Sequence, residues 1–374
     1  MDFLPFTRPT IDEETIQGVA EVLRSGWITS GPQVLALEQA LSAYLGGRPV
    51  RTLTSATGAL EVALQVCGIG PGDEVITPAL SFTATPNVIT RVGARPVFVD
   101  VDLDTRNVSL DQVEKAITAK TRAIMPVHFA GLPVDMDRLY ALAQKHKLRV
   151  IEDAAHAIGS AWHGRKIGSF GDLVSFSFHP NKNMTTIEGG ALSLPGDIEV
   201  KAVELQRFHG IRKDSAGNLD VVLPGGKYNL TDVAARVGLG QIKHLDAFNT
   251  KRRALAMHYF AHMQTDPPPL LPARGDEGHS WHMFAPLLPL DKLRISRQQF
   301  IQMMHELGIG VGIHYPAMHL FTVYRQLGYQ AGDFPNAERI GRETVTLPLF
   351  PGMEFADVER VCHAVRDIIA ESRS

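Results

Sequence analysis

The stretch Ser175-Phe176-Ser177-Phe178-His179-Pro180-Asn181-Lys182-Asn183, followed by Glu188-Gly189-Gly190, carries more of the reading of this chain than any other. Its first four residues alternate small polar with aromatic, the period of a strand. The strand delivers one lysine among polar residues just before a Gly-Gly turn. Such a lysine is either a solvated charge at a strand end or an amine held for covalent chemistry, and the segment alone leaves both readings open. As a reactive amine, Lys182 would owe a lowered pKa to a desolvated pocket or to cationic neighbours such as His179. Ser177 shares a face with Ser175 and could donate to an anion. Gly189-Gly190 would let the backbone pass close to a ligand.

Outward from this segment, short apolar runs alternate with helical patterns. Strands are expected at 51–54, 74–77, 97–100, 123–127, 149–152, 173–178 and 191–194. Amphipathic helices are expected at 57–67, 110–117 and 136–146. This alternation with short connections predicts an α/β unit with a mainly parallel, seven-stranded sheet, whose ligands bind at the carboxyl ends of its strands. Beyond about residue 230 the pattern changes to one long helix over 231–263, capped by Thr231 or Asn229. A Pro267-Pro268-Pro269 break, a helix over 296–307 and a last helix over 357–370 follow. At 374 residues two units are expected: 1–245, including the N-terminal segment, and a smaller α+β unit, 246–374.

Lys and Arg total 37 against 40 Asp and Glu, a net charge of −3, so no nucleic-acid or membrane-inserting surface is expected. The two cysteines, Cys67 and Cys362, lie far apart, which argues against a disulfide framework and for a reducing compartment. The N-terminal residues lack the pattern of a signal peptide and no apolar run reaches membrane-spanning length, so a cytoplasmic protein is expected. The 15 histidines show no spacing of the His-Glu-x-x-His kind, and no metal is assigned.

Four further elements bear on chemistry. Ser55-Ala56-Thr57-Gly58 lies between a strand and a helix start, where it is either an ordinary cap or a phosphate site using free amides and the helix dipole. Val150-Ile151-Glu152-Asp153-Ala154-Ala155-His156 ends an apolar strand in two carboxylates that point to opposite faces. Asp153 either caps the next turn or pairs with the pyridine nitrogen of pyridoxal phosphate (PLP) and keeps the ring an electron sink. His156 could then reach the cofactor's phenolic oxygen or pack on its face. Phe82 is either core or a plate for a flat ring. His314-Tyr315, with His319 nearby, is either a substrate contact or a satisfied buried cluster. His128 and His163 carry no firm assignment.

With these residues in hand the chain resembles the DegT/StrS family of PLP-dependent sugar-nucleotide aminotransferases, from end to end. The resemblance rests on Ser25-Gly26-Trp27-Ile28-Thr29-Ser30-Gly31-Pro32, Ser55-Ala56-Thr57, Gly70-Pro71-Gly72-Asp73-Glu74-Val75-Ile76-Thr77-Pro78 and Glu152-Asp153-Ala154-Ala155-His156. It continues through the lysine segment, Gly226-Lys227-Tyr228-Asn229, His314-Tyr315-Pro316 and Leu347-Pro348-Leu349-Phe350-Pro351. It implies the type I, aspartate aminotransferase-like PLP fold and a homodimer with shared active sites. By the resemblance Lys182 is the Schiff-base lysine and Asp153 the partner of the ring nitrogen. His156 sits near the phenolic oxygen and Phe82 stacks on the ring. Ser55, Ala56, Thr57 and Ser177 hold the phosphate with Asn229 of the opposite subunit. Trp27, Thr29, His314 and Tyr315 lie near the substrate.

The implied reaction is a two-stage transamination from L-glutamate to a nucleotide-linked keto-sugar, a 4-keto sugar first, serving cell-envelope polysaccharide or lipid A. Phe3-Leu4-Pro5-Phe6 and the lysine segment are similar to the branch that makes UDP-4-amino-4-deoxy-L-arabinose. Ile187 stands where many relatives have a small residue, which predicts a narrower pocket near Lys182. His156 stands where many carry glutamine. Two rivals are a pyridoxamine-phosphate-dependent dehydratase, in which the lysine is typically histidine, and a PLP-binding regulator without turnover. An NAD-dependent enzyme is disfavoured because Gly68-Ile69-Gly70-Pro71-Gly72 follows a helix instead of opening one.

Overall fold

Strand residues here are buried on both faces, which only a sheet covered by helices on two sides provides. In the computed structural model, which describes residues 2–373, the main sheet has seven strands: β1 (Val50–Leu53), β2 (Glu74–Pro78), β3 (Arg95–Val99), β4 (Thr121–Ile124), β5 (Arg149–Asp153), β8 (Leu173–Ser177) and β9 (Gly190–Ser193). Two short hairpins lie outside it, β6–β7 (Ala161–Trp162, Arg165–Lys166) and β10–β11 (Ile211–Lys213, Leu219–Val221). The sheet order is β1-β9-β8-β5-β4-β2-β3. β9 alone is reversed, and the other six strands run in one direction. All seven expected strands are present, with ends shifted by up to three residues.

Consecutive residues of each strand feed opposite cores, as the pleat requires. Ile76, Ile124, Val150, Val174 and Ala191 pack under α2 (Pro32–Tyr44), α5 (Leu110–Ala116), α6 (Met136–His146) and α8 (Asp232–His262). Val75, Ala123, Ile151, Leu173 and Leu192 pack under α3 (Ala56–Val66) and α7 (Asp197–Arg207), with α4 (Ala84–Arg91) beside α3. α1 (Glu13–Ser25) lies against α8. The 31-residue α8 begins at Thr231, whose hydroxyl accepts from the Ala234 N–H. Its first residue, Asp232, is buried and accepts from the N–H groups of Gly31 and Val34, tying the heads of α2 and α8 together.

One helix serves two cores. Leu245 of α8 belongs to the sheet's core, whereas Leu255 and Tyr259 belong to a second core. That core is shared with α9 (Arg297–Glu306) and α12 (Phe355–Glu371). A short α10 (Thr322–Arg325) and α11 (Pro335–Glu343) complete the chain. Extended pairing in this region consists of isolated bridges, such as Phe284 with Leu347 and Gly312 with Thr346. Pro286, Pro289 and Pro348 interrupt it by removing backbone donors. The N-terminal segment, expected with residues 1–245, pairs with the C-terminal part. Leu4 exchanges hydrogen bonds with Gly308 and Gly310, and Phe6 stacks on His314 at 5.2 Å. Among the described residues no helix is long and apolar enough to cross a membrane.

The first residue of β9 faces Leu53 of β1 and Ser177 of β8. A Cβ on Gly190 would lie 2.4 Å from both Ala56 N and the Ser55 carbonyl carbon. Gly190 thus admits a close approach of backbone to backbone, whereas a Cβ on Gly189 would meet the Thr186 side chain. Gly190→Ala is expected to destabilise the protein by about 1–3 kcal/mol through overpacking, read as a lower urea midpoint. An unchanged midpoint would contradict this close contact.

Candidate active site

Because β9 enters where the parallel strands leave, one edge of the sheet collects five chain segments. They enclose a cavity of about 390 Å³. Ser55, Ala56 and Thr57 at the head of α3 form one end, and Ser81 and Phe82 after β2 form a wall. Asp153 ends β5 with His156 following it, Ser177 ends β8 with Lys182 beyond it, and His314 and Tyr315 close the far side.

Lys182 is carried on an excursion between β8 and β9 that is fixed at base and tip. At the base the Phe178 N–H donates to Gly189 O and the Thr186 N–H to Phe178 O, both at 2.9 Å. At the tip Asn183 Nδ2 donates to Asn249 Oδ1 of α8 (2.7 Å) and to Ser280 O (2.9 Å). Burial pushes the Lys182 amine down to about 8, opposed by the attraction of Asp153. His179, offered from sequence as a cationic neighbour, turns to Glu188, 3.8 Å away, and desolvation carries the Lys182 shift.

The alternation at the end of β5 separates the two carboxylates. Glu152 faces the core, 2.9 Å from His128 Nε2, and accepts from the Tyr140 hydroxyl at 2.5 Å. His128 is therefore a satisfied buried histidine. Asp153 faces the cavity and accepts from Thr85 Oγ1 (2.8 Å) and the Ala155 N–H (3.1 Å). Thr85 is itself 2.6 Å from Ser81 Oγ. Burial raises the Asp153 pKa, and none of its hydrogen bonds comes from a cation.

His156 Nδ1 accepts from the Ala130 N–H at 3.3 Å, which leaves the proton on Nε2, 3.2 Å from the Tyr315 hydroxyl. Tyr315 then accepts, and its own proton is free to donate. Burial holds His156 well below the usual imidazole range, so the ring is neutral. It is stacked on His282 at 4.5 Å. His282 Nδ1 lies 3.2 Å from Asn183 Oδ1, so the residue beside the lysine also braces the histidine. His314 is held to Thr346 Oγ1 at 2.8 Å and is pushed down to about 4 by burial and by Lys182.

The residues fit the cofactor that the sequence implied. Ser55 Oγ accepts from the Gly58 N–H, whereas the N–H groups of Ala56 and Thr57 have no intrahelical acceptor. Both residues line the cavity, as does Ser177, a set of donors suited to a phosphate. Phe82 is 55% exposed, with the Tyr315 ring tilted against it at 5.7 Å between centres, and offers an aromatic face to the cavity. Asp153 offers a buried carboxylate to a protonated ring nitrogen. Lys182 offers an amine with a lowered pKa.

Three expected residues lie elsewhere in this chain. Asn229 Nδ2 donates to Ser30 Oγ at 2.6 Å, and Ser30 Oγ donates to Leu230 O. Trp27, 60% exposed, donates its indole N–H to Ser30 O. Thr29 is exposed in the same segment. None of the three lines the chain's own cavity. Ile187 does not narrow it either: its backbone is left-handed (φ 72°) and its side chain is exposed. His163 is exposed beside Asp137, and His319 is buried against Glu338 at 2.9 Å. Sequence reasoning missed Thr85, Asn183, Asn249 and His282. Only Asn183, adjacent to the lysine, carried a local signal.

Comparison with known proteins agrees with this geometry. The family model for the DegT/DnrJ/EryC1/StrS aminotransferase family matches residues 9–366. The uncharacterized protein MJ1066 of Methanocaldococcus jannaschii is 39% identical over 381 residues, covering 99% of each chain. Spr1654 of Streptococcus pneumoniae, assigned as a sugar aminotransferase and solved in PMP and PLP forms, superimposes in its PMP form with a TM-score of 0.93. That match has 34% identity and covers 99% of this chain and 98% of the other. Helicobacter pylori PseC, an aminotransferase involved in the biosynthesis of pseudoaminic acid, gives a TM-score of 0.91 at 28% identity, covering 99% and 100%. The chain belongs to the DegT/DnrJ/EryC1/StrS aminotransferase family and is a PLP-dependent aminotransferase of the type I fold.

Proposed function

We propose that this aminotransferase moves the amino group of L-glutamate to a nucleotide-linked keto-sugar, first a 4-keto sugar, giving an amino-sugar nucleotide for envelope polysaccharide or lipid A. The observation that carries the reading is the single cavity uniting Lys182, Asp153, the head of α3 and Phe82. Sugar aminotransferases among the structural relatives support the acceptor class. The Phe3-Leu4-Pro5-Phe6 opening, whose Phe6 stacks on His314 of the cavity wall, makes the 4-keto precursor of UDP-4-amino-4-deoxy-L-arabinose the first substrate to try.

In this proposal the amides of Ala56 and Thr57 and the hydroxyls of Ser55 and Ser177 hold the phosphate of PLP. Phe82 supports the ring, and Asp153 keeps its nitrogen protonated. Bound PLP supplies an electron sink for the carbon that loses a proton. Lys182 Nζ takes that proton from the α-carbon of the amino donor and, in the second half-reaction, returns one to the sugar carbon that gains nitrogen. Tyr315, with its hydroxyl proton free, and neutral His156 orient the cofactor's oxygen side. Asn229, Trp27 and Thr29 form one cluster around Ser30 away from their own cavity, an arrangement suited to service in the active site of a partner in a homodimer.

The lowered lysine pKa gives a pH dependence with a definite sign. Only the neutral amine attacks a carbonyl, and Lys182 becomes neutral as pH rises through about 8. The rate at which cofactor-free protein regains visible absorbance on adding PLP is expected to rise about tenfold per pH unit below that value. It should flatten above about pH 8. A rate still climbing tenfold per unit from pH 9 to 10 would mean an ordinary lysine.

The substrate proposal is tested with a panel of UDP-, dTDP- and GDP-linked 3-keto and 4-keto sugars, with L-glutamate as donor and amino-sugar and 2-oxoglutarate as products. Sustained turnover of a 4-keto sugar nucleotide is expected. Turnover of 3-keto sugars alone would correct the position of amination. Cofactor binding with no turnover across the panel would favour the regulator.

A further inference from the structure

Outside the catalytic cavity, the described residues bring together one group of side chains with metal-ligating atoms: His258, His262 and Glu359. The two histidines lie one turn apart at the C-terminal end of α8, and Glu359 lies in the second turn of α12, which packs against α8. All the ligand atoms lie within 4.8 Å of one another. We propose that these three residues bind a divalent transition-metal ion of the zinc class and that the ion staples α8 to α12.

The i, i+4 spacing puts both imidazoles on one face of the helix, with ring centres 4.0 Å apart. His262 Nδ1 lies 3.0 Å from the His258 carbonyl oxygen and donates its proton there. This backbone bond fixes the tautomer and leaves the Nε2 lone pair for a ligand. His258 is braced on its other side by Phe355, 4.7 Å away, so its ring is already oriented. Its Nε2 lies 3.0 Å from Glu359 Oε1. Tetrahedral zinc with bonds of about 2.0–2.1 Å sets such a nitrogen and oxygen about 3.3 Å apart. Insertion therefore requires this pair to open by about 0.3 Å and His262, whose ligand atom lies within 4.8 Å of the others, to close toward them by side-chain rotation.

The surroundings favour a cation. The last carbonyls of α8 and the negative end of its dipole lie in the same turn as His262. Two imidazoles with one carboxylate suit Zn²⁺, Ni²⁺ or Cu²⁺, whereas Mg²⁺ and Ca²⁺ take oxygen ligands. The group is solvent-accessible, with His262 exposed and the other two half-buried, so an ion can enter without unfolding. Three protein ligands leave the fourth position to water. The competing account is a plain hydrogen bond between His258 and Glu359 with no ion.

The two accounts separate in a titration of untagged, PLP-loaded protein, stripped of metal and then freed of chelator. Zn²⁺ binding is followed by calorimetry and by thermal unfolding, with Mg²⁺ as control, in wild type, His262→Ala and Glu359→Gln. His262→Ala changes an exposed residue in the last helical turn and leaves both cores intact. Wild type is expected to show one Zn²⁺ site per chain that each substitution weakens at least tenfold. Zn²⁺ should raise the unfolding temperature in wild type only, and Mg²⁺ should do neither. Equal Zn²⁺ affinity and stoichiometry in wild type and both variants would overturn the proposal.

Discussion

The site depends on holding an amine and a carboxylate in one buried space without letting them neutralise each other by direct pairing. Asp153 takes its hydrogen bonds from Thr85 and Ala155, and burial raises its pKa. Lys182 is pushed down to about 8 by the same burial. A buried charge without a directly paired counter-ion is costly, and here both costs fall at one end of one sheet. A ring nitrogen for Asp153 and a carbonyl for Lys182 would relieve both, which is why the pair suits PLP better than it suits a structural ion pair.

Sheet geometry makes this arrangement possible. Asp153 ends a parallel strand whose preceding residue, Glu152, spends its charge on His128 and Tyr140 in the core. One reversed strand, β9, returns the chain to the same edge, and Gly190 lets it pass against Ser55 and Ala56 at the head of α3. The lysine excursion is then pinned to α8 through Asn183 and Asn249. Because α8 also contributes Leu255 and Tyr259 to the second core, the lysine position is tied to the element that joins the two cores.

Much of this was legible from pattern. Strands buried on both faces read as apolar runs, so the sheet could be placed within three residues, and Thr231, one of two caps offered for α8, is the one that caps it. Asp153 and the Ser55-Ala56-Thr57 turn were legible because each sits at a strand end, where local sequence fixes position, and Lys182 because it follows one in the turn that leads back to the sheet. His282 and Asn249 were not, since they meet Asn183 across 99 and 66 residues of chain and no local pattern encodes such a contact. Ile187 misled for a related reason: its left-handed backbone turns the side chain to solvent, and sequence alone suggested a narrowed pocket. The His258 and His262 pair had helical spacing in plain view, but Glu359 joins it only through the packing of α12.

The measurement closest to the central claim is borohydride reduction of the PLP-loaded protein followed by peptide mass mapping. Reduction fixes the cofactor to whichever lysine holds it. The account predicts one modified peptide, carrying the pyridoxyl mass on Lys182. A label on any other lysine, or PLP that binds stoichiometrically yet leaves no label, would contradict it.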